Sequence, residues 1–362
     1  MIENVIERFL NTVLIAFEGL VAPRTGLHWF FLACALVIAL LVYWFRDARE
    51  DAPTLRSFLR YCFPGRIYRH RSAKLDFRYV AVNTLFTSIF LAPLLLSSVA
   101  VSHHTWMGLQ VVFGQPGPQL PGGLVSDVIL TFAVLILADL GFYVAHYIAH
   151  RVPFFWEFHK VHHSAEVLHP VTSLRAHPMD SVLSNTFQGV GTGVAFGSCY
   201  YLFNGEVDEL RFVGLNAVVF LFTAASFNLR HSHVWLDYGR ILNRVFISPA
   251  HHQIHHSVER RHADRNLGLV FAWWDWLGGT LYAPDRREEL SFGLCDREES
   301  REYSSVWRLY VLPICKLADR MRGAVIAGCP WAGTGKTSVF SHSGMPPAMC
   351  TAPEDSTNRR QP

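Results

Sequence analysis

Long apolar stretches constrain the fold of this chain more than any other feature of its sequence. Several run for about 18 residues or more, which as helices would match the hydrocarbon thickness of a bilayer. They cover residues 27–45, 79–101, 128–145, 181–203 and 212–227, the last two being richer in Gly, Ser, Thr and Asn. We therefore predict an all-α integral membrane protein with about four to five transmembrane helices.

Basic residues predict how these spans are oriented. Residues 46–78 carry nine Lys or Arg side chains, whereas residues 102–126 carry none. Because short loops rich in Lys and Arg stay in the cytoplasm, we expect the first loop inside and the second outside. The third span then returns to the cytoplasm, and the Arg-rich sequence from Arg230 onward lies on the same side. We expect an integral membrane location, the bacterial inner membrane being favoured over the endoplasmic reticulum.

Histidine is concentrated in one part of the chain, in groups with helical spacing. Residues i, i+3 and i+4 share a helix face, so each group projects its rings to one side. Aligned imidazoles are costly to bury unless something binds them, and eight rings exceed the needs of one tetrahedral zinc. The pattern predicts a multi-metal site on the cytoplasmic side with nitrogen ligands, which suits iron among other metals. The groups are His146 and His150; His159, His162 and His163; and His252, His255 and His256.

The order of these groups resembles the fatty acid hydroxylase and sterol desaturase superfamily of membrane di-iron oxygenases. The resemblance covers roughly residues 127–292, with a hydrophobic hairpin before the last group. It implies a cytoplasmic helical cap that holds two Fe ions through eight to ten histidines. It also implies O2-dependent hydroxylation or desaturation of a C–H bond in a sterol-like or long-chain acyl or alkyl lipid. Supporting motifs are Arg175-Ala-His177-Pro178, Asn228-Leu-Arg-His231-Ser232, Asp264-Arg-Asn266-Leu-Gly268 and Trp274-Asp-Trp-Leu-Gly-Gly-Thr280-Leu281.

The resemblance assigns the eight grouped histidines as catalytic metal ligands and extends the set. His231 corresponds to an additional ligand before the last group. His177 is a further candidate, because Pro178 favours an extended backbone that could aim one imidazole inward.

Three polar residues are candidates for supporting roles around the metals. Asp139 lies two turns before His146 on nearly the same helix face, and a carboxylate inside a membrane span is a functional candidate. Asp264 and Asn266 could orient ligand imidazoles through the second ring nitrogen. The alternatives are a helix–helix hydrogen bond for Asp139 and turn formation for the other two residues.

Turnover would require electrons from outside the chain, because no flavin, haem or iron–sulfur motif appears. Expected partners are a lipid substrate from the bilayer and a redox protein, such as cytochrome b5 or ferredoxin with an NAD(P)H reductase. No basic and aromatic constellation suggests nucleic acid. The alternative is a His-rich membrane metal transporter or a metal-binding protein without oxygenase activity. Transporters place ligands near the membrane midplane, whereas these histidines lie at span ends.

The same features divide the chain into five segments. We expect an interfacial helix over residues 1–26 and a first transmembrane hairpin with a basic cytoplasmic loop over residues 27–126. The di-iron oxygenase region would cover residues 127–292, followed by a cytoplasmic helix over residues 293–322. Residues 323–362 combine prolines with small residues and little periodicity, which predicts disorder.

Overall fold

The computed structural model describes residues 25–47, 54–87, 98–115 and 122–327, with four further positions near the N-terminus. This part of the chain is mostly helical, as the sequence predicted. Its α-helices are α1 (Trp29–Val42), α2 (Leu55–Cys62), α3 (Gly65–Tyr68), α4 (Arg71–Phe86), α5 (Ser98–Phe113), α6 (Leu124–Arg151), α7 (Pro153–His163), α8 (Pro178–Leu202), α9 (Ala217–Phe222), α10 (Asn228–Arg230), α11 (Gly239–Leu242), α12 (Pro249–His255), α13 (Trp273–Leu277), α14 (Arg297–Glu302) and α15 (Val306–Ala327). Strands β1 (Arg211–Phe212) and β2 (Leu215–Asn216) pair antiparallel. Short 3-10 or π turns cover Tyr43–Asp47, Pro170–Leu174, Thr223–Phe227 and Arg260–His262.

Helix α6 is the longest of these elements, with 28 residues. Among the described residues it alone is both long and apolar enough to cross a membrane. Two shorter apolar segments, Trp29–Phe45 and Ala217–Arg230, do not reach the same length. The number of four to five spans therefore stays a prediction.

Helix α8 packs closely against α6 because glycines remove side chains where the two helices meet. A Cβ atom on Gly191 of α8 would collide with the carbonyl of Leu137 on α6. A Cβ atom on Gly141 of α6 would collide with the carbonyl of Phe187 on α8. Small residues allow the backbones of membrane helices to approach in this way. The glycines that lower the hydropathy of α8 are therefore packing residues.

Two predicted segments differ from the structure. Residues 102–126, expected as an outer loop, contain most of α5, which packs along α8. The expected fifth span, residues 212–227, begins in the β1–β2 hairpin and has only six α-helical residues before a π turn. The helix starts late because the side-chain oxygen of Asn216 accepts the backbone N–H groups of Val218 and Val219. Such a cap marks a helix start that hydropathy does not locate.

The ends of the chain follow the predicted division only in part. Most of the predicted interfacial helix over residues 1–26 lies outside the described residues, as do residues 88–97 of the second predicted span. The predicted helix over residues 293–322 is two helices, α14 and α15. Helix α15 continues to Ala327, inside the segment expected to be disordered, and residues 328–362 lie outside the described part.

Candidate metal centre

Three helices carry the predicted histidine groups, and prolines fix where two of them begin. Helix α6 ends with His146 and His150 in its last two turns. Proline at the first position starts α7 at Pro153 and α12 at Pro249, where the missing N–H costs nothing. Helix α7 follows α6 after one residue, which turns its histidines back toward those of α6.

Nine histidines converge in two groups, and all nine are buried. In each group, one ring nitrogen of every member lies within 4.8 Å of those of the others. The rings of His163 and His256 stack across the boundary between the groups with centroids 4.7 Å apart. We call the sets group A, which comprises His146, His150, His159, His163 and His255, and group B, which comprises His162, His231, His252 and His256.

The inner nitrogens of group B are arranged around one point. The Nε2 atom of His231 lies 3.0 Å from that of His252, 3.1 Å from that of His256 and 3.3 Å from that of His162. The additional ligand expected at His231 is thus placed at the middle of this group.

Unpartnered nitrogens in group A support metal binding. The Nε2 atoms of His150, His163 and His255 are buried without a hydrogen-bond partner. A buried polar atom with no partner costs free energy, and a bound metal ion would remove that cost. Neither group contains a cysteine or a carboxylate, so the donors fit two ions that accept imidazole ligands, iron among them.

Burial keeps the rings of group B in the uncharged state. It lowers the pKa of His162 to about 4, with the neighbouring ring of His159 as a further cause. Burial and then the neighbouring ring of His162 lower the pKa of His231 and His256 well below the ordinary value. Burial and then the charge of Arg230 do the same for the pKa of His252. The rings are therefore neutral at physiological pH, as metal coordination requires.

Backbone carbonyls orient two rings of group A. The Nδ1 atom of His146 lies 2.7 Å from the carbonyl oxygen of Leu267, and that of His255 lies 2.9 Å from the carbonyl oxygen of Arg265. A ring that donates its Nδ1 proton outward keeps the Nε2 lone pair for a metal.

Carboxylates orient two more rings of group A. The Nδ1 atom of His150 lies 3.2 Å from Oδ1 of Asp264, one of the residues predicted to orient a ring. The Nδ1 atom of His159 lies 3.3 Å from Oδ1 of Asp180, a residue that the sequence reasoning missed. The signal was present, because Asp180 is an acidic residue in the first turn of α8, where it also accepts the backbone N–H of His177.

Asp139 supports the site from a distance and does not face His146. Its carboxylate accepts the backbone N–H groups of Val270 at 2.9 Å and Phe271 at 3.0 Å, and the indole N–H of Trp274 at 3.0 Å. It thereby fixes the loop after Leu267, whose carbonyl orients His146.

Asn266 and His177 also occupy other places than expected. The side chain of Asn266 donates to the carbonyls of His251 at 3.1 Å and Tyr282 at 2.9 Å, and contacts no ligand ring. Its backbone is left-handed, with φ of 57°, as is that of Asp264. His177 lies outside both groups, because its Nδ1 atom accepts the backbone N–H of Met179 at the start of α8.

A buried arginine contacts group B. The guanidinium of Arg230 donates through Nη2 to Nδ1 of His252 at 3.0 Å and to the carbonyl of Gly268 at 3.3 Å, and through Nη1 to the carbonyl of Leu269 at 3.2 Å. Burial lowers the pKa of Arg230 to about 10, so the group stays charged at neutral pH.

A third cluster, formed by Glu259, His262 and Glu288, lies outside both groups. The guanidinium of Arg261 contacts the carboxylates of Glu259 at 2.7 Å and Glu288 at 2.6 Å. The positively charged side chain of Arg261 therefore already lies between these two carboxylates.

A cavity of about 260 Å³ opens beside both histidine groups. Group A contributes two rings to its wall and group B contributes three. The rest of the wall is largely apolar or small and includes the aromatic rings of Phe142 and Phe227. The lining residues that bear on substrate binding are Phe142, Ala145, Ala149, Ser184, Asn185 and Phe227.

The fold and the site together define a mostly helical protein with a histidine-rich candidate metal centre at the end of an apolar helix. Residues 131–280 match the family model for fatty acid hydroxylases. Over this region the chain is therefore similar to the fatty acid hydroxylase and sterol desaturase superfamily.

Named relatives support the same assignment. The chain is 26% identical over 217 residues to the ornithine lipid hydroxylase OlsE of Rhizobium tropici, covering 58% of this chain and 54% of that protein. It is 25% identical over 182 residues to the alkylglycerol monooxygenase of Caenorhabditis elegans, covering 49% and 33%. It is 29% identical over 151 residues to a very-long-chain aldehyde decarbonylase of Oryza sativa, covering 39% and 22%. The chain thus spans about half or less of these relatives, and no solved structure matches it.

Proposed function

We propose that this protein is a membrane-bound, O2-dependent non-haem di-iron oxygenase that hydroxylates a C–H bond of a long-chain lipid. The observation that carries the proposal is the pair of histidine groups that line one largely apolar cavity. The family assignment and the relatives named as hydroxylase and monooxygenase support an oxidoreductase.

The residues of the site have separate tasks in this reaction. Groups A and B would each hold one iron ion, and the two ions would supply the binding and reduction of dioxygen. Asp180, Asp264 and the carbonyl of Leu267 hold the ligand rings in the orientation that directs Nε2 inward. The side chains of Phe142 and Phe227 exclude water from the cavity and bind the apolar part of the lipid.

The relatives favour an acyl or alkyl lipid over a sterol, and hydroxylation over desaturation. Two of them are named for an ornithine lipid and for alkylglycerol, and both names describe insertion of oxygen. Polar groups at the cavity, from Ser184 and Asn185, are placed to hydrogen-bond an oxygen of such a lipid.

Electrons would come from a redox protein such as cytochrome b5 or ferredoxin, reduced by an NAD(P)H reductase. The basic segment before α5 offers exposed cations for an acidic partner, and exposed charges of this kind steer association. Binding should therefore weaken with salt, because charges are screened over about 10 Å at 0.1 M. The exposed residues are Arg56, Arg60, Arg66, Arg69, Lys74 and Arg78.

The test uses the iron-loaded full-length protein in liposomes, with a reductase system, long-chain lipids and ¹⁸O2. We expect one labelled oxygen atom in the lipid product, and none without O2 or reductant. His162→Ala should abolish the reaction and remove metal. His103→Ala is the matched control, because His103 is exposed on α5 and outside both groups.

Other outcomes would contradict the proposal. Turnover without O2 would exclude an oxygenase. Metal uptake across the liposome membrane without lipid oxidation would favour the alternative, a His-rich metal transporter. Equal loss of activity in the His103 and His162 variants would mean that the histidine groups are not the site of the reaction.

A further inference from the structure

The outer nitrogens of the histidine rings face chemically different partners in the two groups. In group A, the four outer contacts described above all go to acceptors, two carbonyls and two carboxylates. In group B, the outer nitrogen of His162 faces the carbonyl of Arg175 at 3.2 Å, but that of His252 faces a donor, the guanidinium of Arg230.

This difference decides where each ring carries its proton. A neutral imidazole has one N–H and one lone pair. A ring whose Nδ1 donates to a carbonyl or carboxylate leaves its Nε2 lone pair free. His252 must accept from Arg230 at Nδ1, so its proton lies on Nε2, 3.0 Å from Nε2 of His231. Before His252 can bind a cation through Nε2, that proton must move to Nδ1, and the hydrogen bond from Arg230 must break.

Fixed charge acts in the same direction. Group A has the carboxylates of Asp180 and Asp264 next to its rings, and these attract a cation. Asp264 also contacts the guanidinium of Arg151 at 3.4 Å, so Asp180 carries more of this effect. Group B has the guanidinium of Arg230, which is fully buried and makes its described hydrogen bonds to neutral acceptors. Charges interact strongly at such sites because little water screens them.

We propose that the two positions fill in order, group A first and group B second, and that Arg230 sets the difference in affinity. The inference rests on the proposed binding of metal by both groups. Its consequence concerns the cavity, because three of the five histidines in the cavity wall belong to group B. The metal ion in group B has more of its ligands in the cavity wall, and it is then the ion that exchanges more readily.

The experiment titrates metal-free full-length protein in detergent with Co²⁺, followed by visible absorption and calorimetry. We expect two steps. Arg230→Met should strengthen the second step on the order of tenfold and leave the first unchanged, as loss of one opposing charged contact would do. Arg230→Lys keeps the charge and should therefore keep the difference in Co²⁺ affinity between the two steps. Arg244→Met, which removes an exposed arginine, is the matched control and should change neither step.

A second variant tests the same inference if Arg230→Met does not fold. Arg230→Gln removes the charge but keeps a donor for the carbonyls of Gly268 and Leu269. It should also reduce the difference in Co²⁺ affinity between the two steps. Two equal steps in the unmodified protein would overturn the inference, as would a Gln variant with the same separation as the unmodified protein. Binding of no Co²⁺ by the unmodified protein would instead refute the proposed metal site itself.

Discussion

The two ends of α6 differ sharply in the kind of side chain that they expose and bury. At the N-terminal end, Leu124 and Val125 are 71% and 75% exposed. In the C-terminal half, Asp139, His146 and His150 are polar and at most 7% exposed. The helix thus exposes apolar side chains at one end and buries polar side chains toward the other.

The difference shows where each end obtains its stability. Exposed apolar side chains fit a lipid environment, where their surface costs nothing. Buried polar side chains need protein partners, and segment 264–274 supplies them. Asp264 contacts His150, Leu267 contacts His146, and the loop N–H groups contact Asp139. Changes at the polar end should therefore be costly, and changes at the apolar end should be mild.

The largest effect is expected at a ligand of the polar end. His146→Ala removes one of five nitrogens of group A and should reduce bound iron by at least half, with complete loss of lipid oxidation. Elemental analysis of purified protein measures the metal. Two tightly bound irons in this variant would show that His146 is not a ligand.

Asp139→Ala should destabilise the fold without removing a ligand. It leaves two backbone N–H groups and one indole N–H without an acceptor, which costs about 3 kcal/mol or more. Thermal unfolding in detergent should show the loss. Asp127→Ala is the control on the same helix, because Asp127 accepts only the backbone N–H of Asp208 through its side chain. Equal losses of thermal stability in the two variants would contradict the expected difference between the polar and the apolar parts of α6.

Ser126→Ala tests a polar contact at the apolar end. The hydroxyl of Ser126 accepts the N–H of Gly123 and donates to its carbonyl, so it ties the start of the helix. Loss of such a cap costs about 1 kcal/mol. The same unfolding measurement should place this variant between the unmodified protein and Asp139→Ala. Iron content should stay unchanged, and a lower value would link this end to the site.

Val125→Ala should have the smallest effect. An exposed side chain makes few contacts, and such substitutions usually change stability by no more than about 0.5 kcal/mol. Iron content, lipid oxidation and the unfolding midpoint in detergent should all match the unmodified protein. A marked fall in stability would mean that Val125 packs against protein in solution.

The local pattern of histidines could be predicted from the sequence because helical spacing alone puts residues i, i+3 and i+4 on one face. The residues that support the histidine rings were harder to predict. Asp264 was expected beside a ring and lies beside His150, whereas Asn266 and His177 were expected near the metals and hydrogen-bond to backbone groups instead. Asp180 was missed, because its place in the first turn of α8 indicates a helix cap and only the packing of α8 against α7 brings it to His159.

The sequence by itself determined the helical class, the apolar character of α6 and the sets of rings that share a helix face, because these depend on periods of a few residues. Only the tertiary structure decided how the sets divide. His162 and His163 are adjacent, yet His162 belongs to group B and His163 to group A. The same holds for His255 and His256. Successive residues on a helix point about 100° apart, so neighbours in the chain join different histidine groups once three helices have packed together.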